Sequence, residues 1–136
     1  MHATNRKLFL LITAFVEAAT SLCLLFLPAV LFAVLLGLEH VTVETIFVGR
    51  IAGGALLGIG VASWMAAADT LTPAQLGLLS GILIYDAAAS MLLAFAGAVL
   101  KMNGVLLWPA VGLHAVLAVW CFICLLPDNI ARFSRR

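Results

Sequence analysis

The chain has 136 residues, of which 65% are hydrophobic and 10% charged, with a formal net charge of +1 and a mean hydropathy of +1.24. Soluble domains carry about 45–50% apolar and about 25% charged residues, so these charges are too few to cover a soluble surface. The composition points to one compact all-α integral membrane unit and excludes a basic nucleic-acid-binding face.

A membrane span needs about 20 apolar residues at about 1.5 Å rise per residue. The first predicted span covers residues 8–27 and ends before Pro28. Arg6 and Lys7 resemble the start of a secretory signal, but the apolar run is too long for one and contains Glu17. Residues 28–38 are also apolar. Joined to the first span they would make a helix of roughly 43 Å, longer than the ~30 Å hydrocarbon core. Pro28 lacks an amide donor and clashes with the preceding turn, so a short interfacial helix over 28–38 is expected. A tilted, kinked long helix is the alternative.

The second span is predicted over 45–68. The third, 73–100, opens on Thr72-Pro73-Ala74-Gln75. Threonine caps, proline suits the first helical position, and Gln75 is placed to complete a capping box. Lys101–Gly104 forms a short turn, and the fourth span covers 105–126, stopping at Pro127. The expected fold is a bundle of four transmembrane helices with a short interfacial helix after the first span. Arg6 and Lys7 at one end and Arg132, Arg135 and Arg136 at the other leave only Lys101 for the opposite face. By the positive-inside rule both termini are cytoplasmic, with Trp64 and Trp108 as anchors at opposite interfaces.

Helices in lipid associate through close approach and hydrogen bonds. Gly49/Gly53 and Gly54/Gly58 in the second span, and Gly77/Gly81 in the third, are GxxxG pairs. They predict that these two helices pack along small-residue faces. A homodimer face is the other reading.

Charge at mid-bilayer costs about 2.5–3.5 kcal/mol per residue and persists only when it faces inward and finds partners. Glu17, Asp86 and His114 each fall near the middle of a different span, and Arg50 lies nearer the periplasmic end of the second. The expectation is one polar centre, with the Arg50 stem reaching toward Glu17 or Asp86. Thr13, Thr20 and Ser21 share a helix face with Glu17, and Ser90 with Asp86. Ala110 and Ala118 leave room around His114. Tyr85 is too deep for an interfacial anchor and needs a polar partner. Three readings fit Glu17, Arg50, Tyr85, Asp86 and His114: a structural core that fixes helix order, a site for a ligand or proton, or charges that meet another subunit. One histidine and two carboxyls make a poor metal set. No cofactor is named by the sequence.

Cys121-Phe122-Ile123-Cys124 is a CxxC, as found in membrane thiol oxidoreductases of the DsbB and vitamin K epoxide reductase types. Here it sits in the last turns of a helix, where the dipole opposes a thiolate, and on the reducing side of the expected topology. Packing residues are the expected role.

Phe26-Leu27-Pro28, the run Gly49-Arg50-Ile51-Ala52-Gly53-Gly54, and Leu107-Trp108-Pro109-Ala110 followed by His114 resemble small bacterial inner-membrane proteins of the DoxX-like type. The resemblance implies a four-helix fold in a bacterial cytoplasmic membrane, with a break after the first helix. The functional expectation is a small protein binding or transporting a small or amphipathic molecule. The alternatives are an accessory subunit of a larger, quinone-linked membrane complex, and a thiol or quinone oxidoreductase. Expected partners are the lipid bilayer and either further copies of the chain or a larger complex.

Overall fold

The computed structural model describes residues 2–126. It contains five helices: α1 (His2–Phe26), α2 (Pro28–Leu36), α3 (Val43–Ala66), α4 (Pro73–Ala98) and α5 (Leu107–Leu125). Four of them, all but α2, are long and apolar enough to cross a membrane.

The elements agree with the expected spans, with shifted ends. Helix α1 takes in Asn5, Arg6 and Lys7, which the sequence reading left outside the first span, and Arg6 is buried. Helix α3 starts two residues early because Thr42 caps it, accepting from the Thr45 amide at 3.3 Å. The Thr72 cap of α4 is as expected, with the Gln75 amide at 3.1 Å. The capping box is not completed. The Gln75 side chain instead donates to the Ala66 carbonyl at 2.8 Å and ties the α3–α4 connection together. Helix α4 ends at Ala98 and α5 begins at Leu107, so the connection is longer than four residues. The Arg132, Arg135 and Arg136 tail lies outside the described residues.

The chain breaks at Leu27, and Pro28 occupies the first turn of α2. At nine residues, α2 is only about 14 Å long. Its other end is set by two glycines. Gly37 closes the helix in the left-handed region, φ 74°. Gly104 approaches the backbone of Leu35 and Leu36 so closely that a Cβ would overlap it. The Leu106 amide donates to the Val34 carbonyl at 2.9 Å. The Asn103-Gly104 turn thus fastens α2 to the α4–α5 connection.

The bundle is built from two helix pairs. Helix α1 packs along α3, and α4 along α5, while α3 and α4 barely touch. This corrects the expectation that the glycines of α3 face those of α4. Gly49, Gly53 and Gly60 do lie in tight contacts, but against α1 and α2: a Cβ on Gly53 would meet Leu24 Cβ at 2.9 Å, and one on Gly49 the Phe32 ring at 2.8 Å. Gly54, Gly58, Gly77 and Gly81 have nothing within 4 Å of where a Cβ would be. Each pair is also clamped by a serine. Ser21 Oγ donates to the Gly53 carbonyl at 2.7 Å, and Ser90 Oγ to the Val111 carbonyl at 3.2 Å.

An apolar core closes the end of the bundle that holds the start of α1. Phe9, Leu10, Leu79, Ile82 and Leu117 are at most 2% exposed. Phe9 packs edge-on to Trp120 with centroids 5.7 Å apart, and Trp120 Nε1 donates to Asn5 Oδ1 at 3.0 Å. Cys121 and Cys124 are both buried in this core. The Cys121 thiol donates to the Leu79 carbonyl at 3.1 Å. Trp64 and Trp108 are both exposed, at opposite ends of the bundle.

Candidate functional site

Midway along the bundle the core turns polar. Glu17 is 1% exposed and Asp86 fully buried. The residues that bury them are small. On α3, Gly60 faces the Glu17 level, and a Cβ there would sit 3.3 Å from the Ala14 carbonyl and 3.5 Å from Glu17 Cβ. On α4, Asp86 continues the inward face made by Gln75, Leu79 and Ile82, so the helical repeat carries it to the bundle axis.

His114 Nδ1 lies 2.7 Å from Asp86 Oδ1. The Tyr85 ring stands edge-on to the His114 ring, centroids 5.6 Å apart and planes at 89°, and its hydroxyl approaches the Glu17 carboxyl. Glu17, Tyr85, Asp86 and His114 are therefore gathered from three helices at one depth. Three of these residues, Glu17, Asp86 and His114, were expected to share that depth. Tyr85 was expected to find a polar partner, and the Glu17 carboxyl is the acidic group its hydroxyl approaches.

Arg50 does not join them. It is exposed on α3, on the same side as Phe47 and Gly54 and away from the inward line of Gly49, Gly53, Leu56 and Gly60. The helical repeat, at about 100° per residue, turns residue 50 outward once residues 49 and 53 face α1.

The cluster is not self-satisfied. Asp86 Oδ2 and Glu17 Oε1 are buried without a hydrogen-bond partner, as is Thr13 Oγ1 one turn from Glu17. A buried polar atom left unpaired costs about 1–3 kcal/mol. No three His, Cys, Asp or Glu side chains among the described residues converge on a metal position.

Beside the cluster, the gap between α3 and α4 is a cavity of about 720 Å³. Val48, Ala52 and Leu56 of α3 form one wall, Ala88, Ala89 and Leu92 of α4 the other. Leu31, Phe32 and Leu35 of α2 lie across one end, and Glu44 and Thr45 stand where α3 begins. Tyr85, His114 and Thr20 supply the polar surface further in. Sequence reasoning did not find this cavity. The small residues Ala52, Ala88 and Ala89 that make room for it carry no signal distinguishing a cavity wall from a packed helix face.

The chain matches no protein-family model, no curated protein and no solved structure.

Proposed function

We propose that the chain is a small multi-pass protein of the bacterial cytoplasmic membrane, with both termini cytoplasmic. In this reading it binds, and moves or presents, an amphipathic molecule held in the cavity between α3 and α4. The DoxX-like likeness belongs to the same proposal. The observation that carries it is the pairing of an apolar cavity with buried, unpartnered carboxyl oxygens on Glu17 and Asp86, immediately behind Tyr85 and His114. Ligand cavities occupy about 300–1,000 Å³ and combine apolar walls with a few polar groups, and the volume here falls in that range. Because α3 and α4 are parted, an occupant in the bilayer enters between the helices without crossing water.

Native mass spectrometry of the protein, released from its own membranes in a mild detergent, tests this reading. The expected result is one bound amphiphile per chain, lost when Ala52→Trp and Ala89→Trp fill the cavity while circular dichroism stays helical. A chain that carries no amphiphile and takes up none when offered would overturn the proposal.

A second reading has its own support. Arg50 is an exposed cation about 11 Å into a helix long enough to span a membrane, and Gly54 and Gly58 on the same helix have nothing among the described residues within 4 Å of where a Cβ would be. A charge on a lipid-facing surface finds either head groups or another protein chain. An accessory subunit, in further copies of itself or in a larger complex, would cover that face. A discrete large assembly in blue-native electrophoresis supports it. The thiol oxidoreductase reading gains nothing, since both CxxC thiols are sealed in the apolar core.

A further inference from the structure

We infer that the occupant of this cavity is an amphipathic cation, a lipophilic amine whose ammonium head docks at His114. The inference rests on the cavity reading given above and adds the chemistry of the ligand.

The first observation is how the imidazole is engaged. His114 lines the cavity, and its Nδ1 is taken by Asp86 Oδ1. Nε2 is the ring nitrogen left to a head group, and in the tautomer with the hydrogen on Nδ1 it offers a lone pair. A head group that meets this ring must donate a hydrogen bond. An ammonium or a hydroxyl does so; an ester or a carboxylate does not.

The second observation is the balance of charge. The groups facing His114 are Glu17 from α1 and Tyr85 and Asp86 from α4, while α3 brings Gly60 to the Glu17 level. Helix α2 contributes only Leu31, Phe32 and Leu35 to the cavity, and Glu44 adds a further carboxyl at the start of α3. Among the described residues, no Lys or Arg lines the cavity. Glu44 is on the lining, and Glu17 and Asp86 lie behind Tyr85 and His114, so a surface with acidic groups and no fixed cation favours a positive head group over an anionic one. The third observation is that Glu17 Oε1 and Asp86 Oδ2 are buried without a partner. The Asp86–His114 pair alone does not use up the acceptors gathered at this depth.

The test uses the intact chain in phosphatidylcholine nanodiscs, with empty discs subtracted for partition. Tritiated dodecylamine is the probe, and dodecanol and dodecanoate are comparators of equal chain length. The expected result is saturable dodecylamine binding about tenfold tighter than that of dodecanol, and no binding of dodecanoate. Glu17→Gln should weaken the amine about tenfold and leave dodecanol unchanged. Should that variant fail to fold, the comparison of the three probes on the unaltered chain still decides. Equal binding of dodecanol and dodecylamine, or preference for dodecanoate, would overturn the inference and leave the cavity reading standing. Failure of all three probes to bind would remove the cavity reading as well.

Discussion

His114 Nδ1 and Asp86 Oδ1 are 2.7 Å apart across the α4–α5 interface, with the carboxyl fully buried and the histidine 14% exposed. Such a pair resembles an internal strut, but its two ends are not equivalent. Asp86 has no route to water, whereas His114 borders the cavity. Removing the histidine strands a buried carboxyl; removing the carboxyl's charge leaves a ring that still reaches an open space.

This asymmetry predicts an ordered mutant series. His114→Ala should destabilise the protein by about 3–5 kcal/mol, the cost of leaving a buried charge uncompensated. Asp86→Asn keeps the shape and should cost less. The double variant should be more stable than His114→Ala alone, because no charge is left stranded. Thermal unfolding in detergent of all four forms checks the order. Additive single effects would show that the two residues are not coupled.

Adjacent glycines on α3 should respond with opposite signs. A Cβ on Gly53 meets Leu24 Cβ at 2.9 Å and the Ser21 carbonyl at 3.1 Å, and the carbonyl is backbone with little freedom to shift. Gly53→Ala should therefore cost about 1–3 kcal/mol by overpacking and weaken the Ser21–Gly53 hydrogen bond. Gly54→Ala enters open space and should leave stability unchanged or raise it by up to about 1 kcal/mol through helix propensity. Equilibrium unfolding in mixed micelles distinguishes the two, and equal losses would contradict the α1–α3 packing.

Orientation is testable at the loops. Lys101 is exposed at the end of the bundle opposite the start of α1. Lys101→Cys, in a background where Cys23, Cys121 and Cys124 are replaced by serine, should label with an impermeant maleimide added outside intact spheroplasts. Ser134→Cys, beyond the described residues, should label only after lysis. The reverse pattern would invert the topology.

The helices were legible because hydropathy and a few breakers determine them: Pro28 interrupts the first apolar run, and Thr72-Pro73 starts α4. The polar centre was legible by cost, since Glu17, Asp86 and His114 have nowhere inexpensive to sit but inward. What could not be read was which helix lies against which. Gly49, Gly53, Gly54 and Gly58 look alike in the sequence, and only the phase of α3 against α1 separates the packed ones from the open ones. The same phase decides Arg50. The reach of its long stem toward Glu17 or Asp86 suggested a partner, yet a rotation of one residue from Gly49 carries it to the outside. Asn5, Trp120 and the Gln75–Ala66 contact escaped notice because isolated polar residues near helix ends carry no periodic signal.

Helix α2 continues the chain of α1, yet its carbonyl at Val34 is held by the amide of Leu106 and its last turn lies against Gly104. The end wall of the cavity is thus hinged on one helix pair and latched to the other. Any widening between α3 and α4 must either drag that wall along with the α4–α5 pair or unfasten the latch. The hinge at Leu27 and Pro28 therefore makes the size of the opening and the position of its end wall a single mechanical variable.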